Sequence, residues 1–175
     1  MINLKALSLA LGAVSLLGSP ALASLTRYTN TQLLNSGVHP GIVRGFDSLN
    51  VPVFDGAAMD ICQMTDNVRP IAFYNFKLNA VLVCSQNVKS ADEFISSVTH
   101  EAVHMVQDCR SGLNSPTLHE QDEAYLAQLY SRLHPDLQEN IKAAYERDDW
   151  SVEIEAFYFQ SRPAAVAEGI SKFCF

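Results

Sequence analysis

The residues best equipped for chemistry are His100-Glu101-Ala102-Val103-His104. Residues at i and i+4 share a helix face, so both imidazoles can reach one ion. Glu101 stands on the flank of that face, where it can take a proton from a metal-bound water. Two imidazoles plus a carboxylate, with a fourth position open, make a zinc site of the catalytic type. Chance produces this five-residue pattern in well under ~1% of chains of this length, so it outweighs two coincidental histidines on a solvated helix. A helical wheel puts Ala91, Ile95, Val98, Ala102, Met105, Val106 and Cys109 on one apolar stripe. His100 and His104 fall roughly opposite, with Glu93, Ser97, Gln107 and Asp108.

A third ligand must come from elsewhere. The extended metzincin pattern needs Gly and then His or Asp after the second histidine; Gln107 and Arg110 occupy those places. The remaining common choice is a glutamate on a later helix, and Trp150-Ser151-Val152-Glu153-Ile154-Glu155-Ala156-Phe157 offers two. Glu153 shares its side with Trp150, Ala156, Phe157 and Gln160, whereas Glu155 lies nearly opposite, near Ser151 and Arg162. A carboxylate among aromatics is costly unless paired or metal-bound. Small Ala156 would let this helix approach the first one. Glu153 is therefore favoured, with Glu155 as the alternative third ligand.

Two histidines and a glutamate in H-E-x-x-H…E-x-x-A resemble the gluzincin metallopeptidases. The resemblance implies a zincin-like fold, zinc as cofactor and Glu153 as third ligand. Many members carry Asp at the position of Phe157, so the usual carboxylate behind a ligand histidine is missing here or supplied elsewhere. Short islands also resemble the mitochondrial intermembrane-space peptidases that mature an ATP-synthase subunit: Val81 to Cys84, His100 to His104, Asp108-Cys109-Arg110, and Glu153-Ile154-Glu155-Ala156. They cover about a third of the sequence and carry over the site and fold type, not the biological substrate.

Weaker candidates surround this set. Asp108, four residues past His104, could orient its free ring nitrogen. Tyr74, Tyr145, Tyr158 and His119 are candidate transition-state donors, and nothing in the sequence ranks them. His39 before Pro40 and His134 before Pro135 read as structural.

The elements that must position these residues are legible in outline. Residues 29–50 form two short helices broken at His39-Pro40-Gly41. Val51 to Phe54 is a brief strand or extended segment. Ile71 to Tyr74 and Ala80 to Cys84 make a β-hairpin around Asn75-Phe76-Lys77-Leu78-Asn79. Ser90 with Glu93 forms a capping box for a helix reaching about Cys109, and Arg110 to Pro116 is a loop. Helices follow at about 119–133, 136–147, 149–161 and 164–173, with Pro135 and Pro163 as punctuation. A hairpin, a long helix and a helical half give an α+β, helix-dominant domain.

Hydrophobic residues are 48% of the 175-residue chain and charged residues 18%, which excludes a disordered polyelectrolyte. A net charge of −7 argues against nucleic acid as a partner, because phosphate binding needs basic patches. Residues 1–23 read as a secretory signal: Lys5, an apolar-rich run from Ala6 to Leu17 too short to span a bilayer, then Gly18-Ser19-Pro20 and an A-x-A site at Ala21-Leu22-Ala23. Cleavage after Ala23 leaves residues 24–175 as one domain without a membrane span.

Four cysteines behind such a signal favour two disulfides. Three pairings are open. The one expected here joins Cys109 on the metal helix to Cys174 near the C-terminus, leaving Cys62 with Cys84.

The expected protein is a secreted or periplasmic zinc metallopeptidase acting on a peptide or protein substrate. Zinc would sit on His100, His104 and Glu153, Glu101 would act as general base, and substrate would lie extended along the Ile71 to Tyr74 edge. The alternatives are a zinc-binding protein of the same fold that does not cleave, and a disulfide-stapled interaction or inhibitor module.

Overall fold

The computed structural model describes residues 25–63, 69–113 and 118–175, and the backbone of Ala6–Leu7. The expected leader otherwise lies outside the described residues. The fold is α+β and helix-dominant, as expected. Its strands are β1 (Ala6–Leu7), β2 (Thr26–Arg27), β3 (Val53–Asp55), β4 (Arg69–Pro70), β5 (Ala72–Asn75) and β6 (Ala80–Val83). Its helices are α1 (Asn30–Asn35), α2 (Pro40–Ser48), α3 (Ala91–Ser111), α4 (Glu123–Ser131), α5 (Pro135–Ala144), α6 (Trp150–Phe159) and α7 (Pro163–Phe173).

The predicted hairpin forms, with Asn75 opposite Ala80, so its loop is one residue shorter than expected. Asn79 takes a positive φ of 46°, a conformation asparagine tolerates better than most residues. The hairpin belongs to a larger sheet ordered β2-β3-β6-β5. β3 pairs parallel with β6, Val53 facing Val81, and β2 pairs antiparallel with β3. β5 is the edge of that sheet. β1 and β4 form a separate parallel pair.

Alternation decides what each face of the sheet covers. Ala72, Tyr74, Val81 and Val83 join the main core with Val98, Ala102 and Met105 of α3. Phe73 and Leu82 point the other way, onto the Cys62–Cys84 disulfide. A smaller cluster of Leu126, Leu129, Leu133, Ile141, Ile154 and Phe157 joins α4, α5 and α6. The helical half that follows α3 therefore has its own apolar reason to fold back over it.

The 21-residue α3 spans roughly 32 Å at 1.5 Å per residue. Ser90 caps it by accepting from the Glu93 N–H at 3.1 Å, worth about 1 kcal/mol. The reciprocal half of the expected capping box is absent, because the Glu93 carboxylate accepts instead from the Lys89 N–H and from the buried Arg69. The helix ends at Gly112, whose φ of 99° is the left-handed stop glycine favours. Arg110 is thus helical, not in a loop as expected, and residues 114–117 of that expected loop lie outside the described residues.

The later helices follow the expected order; α4, α5 and α6 are shorter than expected, α7 is one residue longer, and Pro135 and Pro163 are the first residues of α5 and α7 rather than breaks before them. His39 and His134 are structural, each accepting a backbone N–H at a helix start. Gly41 and Gly45 bring α2 against α7: a Cβ there would stand 2.5 Å from Ala167 Cβ or 2.7 Å from Ile170 Cγ2.

Both disulfides form in the expected pairing, Cys62–Cys84 and Cys109–Cys174. The second ties α7 to the end of α3. Two disulfides suggest an oxidising environment. Among the described residues no helix is long and apolar enough to cross a membrane.

Candidate metal centre

The i, i+4 spacing places His100 and His104 on one face of α3, with ring centroids 4.9 Å apart. That face is polar on the wheel, yet it is not solvated: α6 lies across it, and both histidines are buried. From α6, the fully buried Glu153 enters the same space. Glu153 Oε2 is 3.3 Å from His100 Nε2, and Oε1 is 3.4 Å from His104 Nε2. No hydrogen bond closes at any of these four atoms. Ala156, fully buried one turn on, supplies the small residue that lets α6 come close.

These distances suit a shared cation. Two ligands each about 2.0–2.1 Å from one tetrahedral ion stand about 3.3–3.4 Å apart. Burying polar atoms without partners costs about 1–3 kcal/mol each, and a cation in their midst offsets that cost. His100, His104 and Glu153 could therefore hold a metal ion.

The electrostatics agree in direction. Burial alone would raise the Glu153 pKa, but the two imidazoles overrule it and hold the carboxyl down at about 2. Burial alone would likewise disfavour a charged His104, but Glu153 facing it raises its pKa to about 9. The site attracts a positive charge, whether a proton or a metal.

Glu101 is fully buried and touches the electrostatics of this cluster without being one of the three. Burial raises its pKa; the two histidines pull it down and Glu153 pushes it up. Neither carboxylate oxygen closes a hydrogen bond, although the Tyr74 backbone on β5 lies near enough to act on it. A buried carboxylate beside a cation site, and against the edge strand, is equipped to accept a proton.

Glu155, the alternative third ligand, is not in the cluster. It is buried on the other side of α6, where it accepts from Arg110 Nη1 at 2.8 Å and Gln107 Nε2 at 3.0 Å. The wheel sets it near Arg162; its partner is instead Arg110, available because α3 runs one residue past it.

Asp108 does not orient His104. Its carboxylate accepts from the Tyr74 hydroxyl at 2.8 Å, which pins β5 to α3. The groups behind the histidines are glutamines: Gln107 Oε1 lies 2.8 Å from His104 Nδ1, and Gln160 Oε1 lies 3.3 Å from His100 Nδ1. Phe157, at the position where the resemblance leads one to expect Asp, packs edge-on against His100 with centroids 4.7 Å apart.

Sequence reasoning misses both glutamines. Gln160 falls on the ligand side of its helical wheel, which is the available signal. Of the candidate donors, Tyr74 is committed to Asp108, Tyr158 carries Arg162 over its ring at 3.9 Å, and Tyr145 packs on Phe157. His119 is exposed.

Residues 54–175 match the family described as Domain of unknown function (DUF8637). The protein belongs to this family. The DUF8637 match covers His100, Glu101, His104 and Glu153, and all four cysteines. No curated protein and no solved structure matches the sequence. DUF8637 brings no activity with it, so the functional reading rests on the residues themselves.

Proposed function

We propose that this protein is a zinc-dependent metallopeptidase with a zincin-like fold, exported to the periplasm or the cell exterior. The observation that carries the reading is the buried convergence of His100, His104 and Glu153 with Glu101 beside them. Zinc suits two imidazoles and one carboxylate, and when bound it supplies Lewis acidity toward a carbonyl oxygen and a water. His100, His104 and Glu153 would hold it. Glu101 would take the proton from the attacking water and return it to the leaving amine, a task for which burial and the neighbouring Glu153 raise its basicity.

The edge position of β5, next to Glu101, supports an extended peptide substrate, because an edge strand offers backbone groups for a further strand to pair with. The expected leader and the two disulfides support export. The test is hydrolysis of an unstructured protein by the zinc-loaded, oxidised protein, with Glu101→Gln as the control that removes basicity.

One observation favours a second reading, a metal-binding protein without turnover: all four side chains are buried. Substrate must displace something to reach them. Zinc uptake without hydrolysis across varied unfolded substrates would select that reading.

A further inference from the structure

An imidazole that binds a metal through Nε2 must carry its proton on Nδ1, and the group facing Nδ1 sets that choice. At His104 this group is the side-chain carbonyl of Gln107, at 2.8 Å. A carbonyl only accepts, so it demands a proton on Nδ1 and leaves the Nε2 lone pair toward Glu153.

The amide's own orientation is decided by its other end. Gln107 Nε2 donates to the Val152 carbonyl at 3.0 Å and to Glu155 Oε2 at 3.0 Å. Both partners are acceptors, so turning the amide round would break both contacts and set an NH2 against the imidazole. Glu155 is fixed in turn by Arg110 Nη1, at 2.8 and 3.1 Å, and by Gln121 Nε2 at 3.2 Å. The Arg110 guanidinium lies 4.4 Å over the Phe173 ring of α7. Gln107 is 0% exposed and Glu155 2%, so water does not compete for these bonds.

The placement links both ligand-bearing helices. Gln107 is three residues after His104 on α3, and it holds the carbonyl immediately before Glu153 on α6. A carboxylate would accept from His104 but would oppose the Val152 carbonyl and the Glu155 carboxylate.

We propose that Gln107, locked by Glu155 and Arg110, is the positioning residue that fixes the His104 tautomer and thereby sets the metal affinity of the centre. The inference rests on the metal reading of the site, and its test separates the two. The full-length protein, labelled with 15N-histidine and loaded with zinc, is read by ring-nitrogen NMR, and zinc affinity is measured by chelator competition for wild type and Gln107→Leu.

In the wild type, His104 is expected to show a proton on Nδ1 and metal on Nε2. Gln107→Leu keeps the volume and removes both ends of the bridge. It is expected to bind zinc about 10–100-fold more weakly and to lose the hydrogen-bonded Nδ1–H signature at His104, while His100, which leans on Gln160, keeps its own. A His104 that carries its proton on Nε2 in the wild type overturns the proposal, and this needs no variant to fold. Zinc affinity in Gln107→Leu within about twofold of wild type also overturns it. A wild-type protein that takes up no zinc instead overturns the metal reading beneath it.

Discussion

Glu153→Gln separates a metal ligand from a structural acid more sharply than any other change at the centre. The substitution keeps size and burial but removes the anionic donor lying 3.3 and 3.4 Å from the two Nε2 atoms. The stabilisation that a bound ligand adds is RT ln(1 + [L]/Kd), about 4 kcal/mol at 1,000 times Kd. A protein of this size gains about 2–4 °C per kcal/mol, so saturating zinc should raise the wild-type unfolding midpoint by about 8–16 °C. In Glu153→Gln that rise should vanish, because two imidazoles and an amide do not replace the ligand set.

Glu155→Gln is the matched control. It keeps one acceptor oxygen, removes the charge opposite Arg110, and replaces the other oxygen, which accepts from Gln107, Arg110 or Gln121, with an NH2. If this loosens the support behind His104 by 10–100-fold in affinity, about 1.4–2.7 kcal/mol of the zinc stabilisation remains at the same zinc concentration. The assay is thermal unfolding by circular dichroism, with and without zinc, under oxidising conditions. A wild-type-sized zinc response in Glu153→Gln, or its complete loss in Glu155→Gln alone, would refute the assignment of ligand and support.

Other parts of the molecule carry their own tests. Glu101→Gln should retain zinc and fold while peptide hydrolysis falls by about 10²–10⁴-fold; turnover equal to wild type in a fluorescent casein assay would contradict a general-base role. Replacing both Cys109 and Cys174 with Ser should lower stability by about 2–4 kcal/mol, since the bridge closes a 65-residue separation; urea unfolding that shifts by less than about 1 kcal/mol would contradict its role in holding α7 to α3. Burial would raise the Glu93 pKa, but Arg69 and the Lys89 N–H hold it below the usual 4.5. A depressed carboxylate stabilises the fold above its unfolded pKa and loses that contribution as pH falls through its folded value. The stability deficit of Glu93→Gln should therefore be present at pH 7 and close progressively below about pH 4.5; a deficit independent of pH in urea titrations would count against it.

The candidate ligands are legible in the sequence because their information is local. Four-residue spacing puts His100 beside His104 on any helix, and the aromatic company of Glu153 marks it as a carboxylate with a reason to be buried. The hairpin is legible from alternation; the disulfide pairing is only suggested by the place of Cys109 on a core-facing stripe, because four cysteines leave three pairings open until the fold brings Cys174 to the end of α3. The parallel pairing of β3 with β6 is not, because Val53–Asp55 is too short to declare a partner.

The burial of the polar face of α3 is not legible either. A wheel shows that His100, His104 and Gln107 share a side, but the helix that covers it arrives from about 45 residues away, as the Gln107–Val152 contact records. The same distance hides the task of Gln107, since an amide names no partner until both its ends are placed. Arg110 reads as loop in the sequence but is helical in the fold. Its position depends on the left-handed stop at Gly112, and the two residues of extra helix, Arg110 and Ser111, give Glu155 its partner.

The most direct test is the metal content of the purified protein, oxidised and never exposed to chelator, by inductively coupled plasma mass spectrometry beside His104→Ala. The expected result is one zinc per wild-type molecule and none in the variant. A folded wild-type protein that carries no metal and takes up no added zinc would contradict the account at its centre.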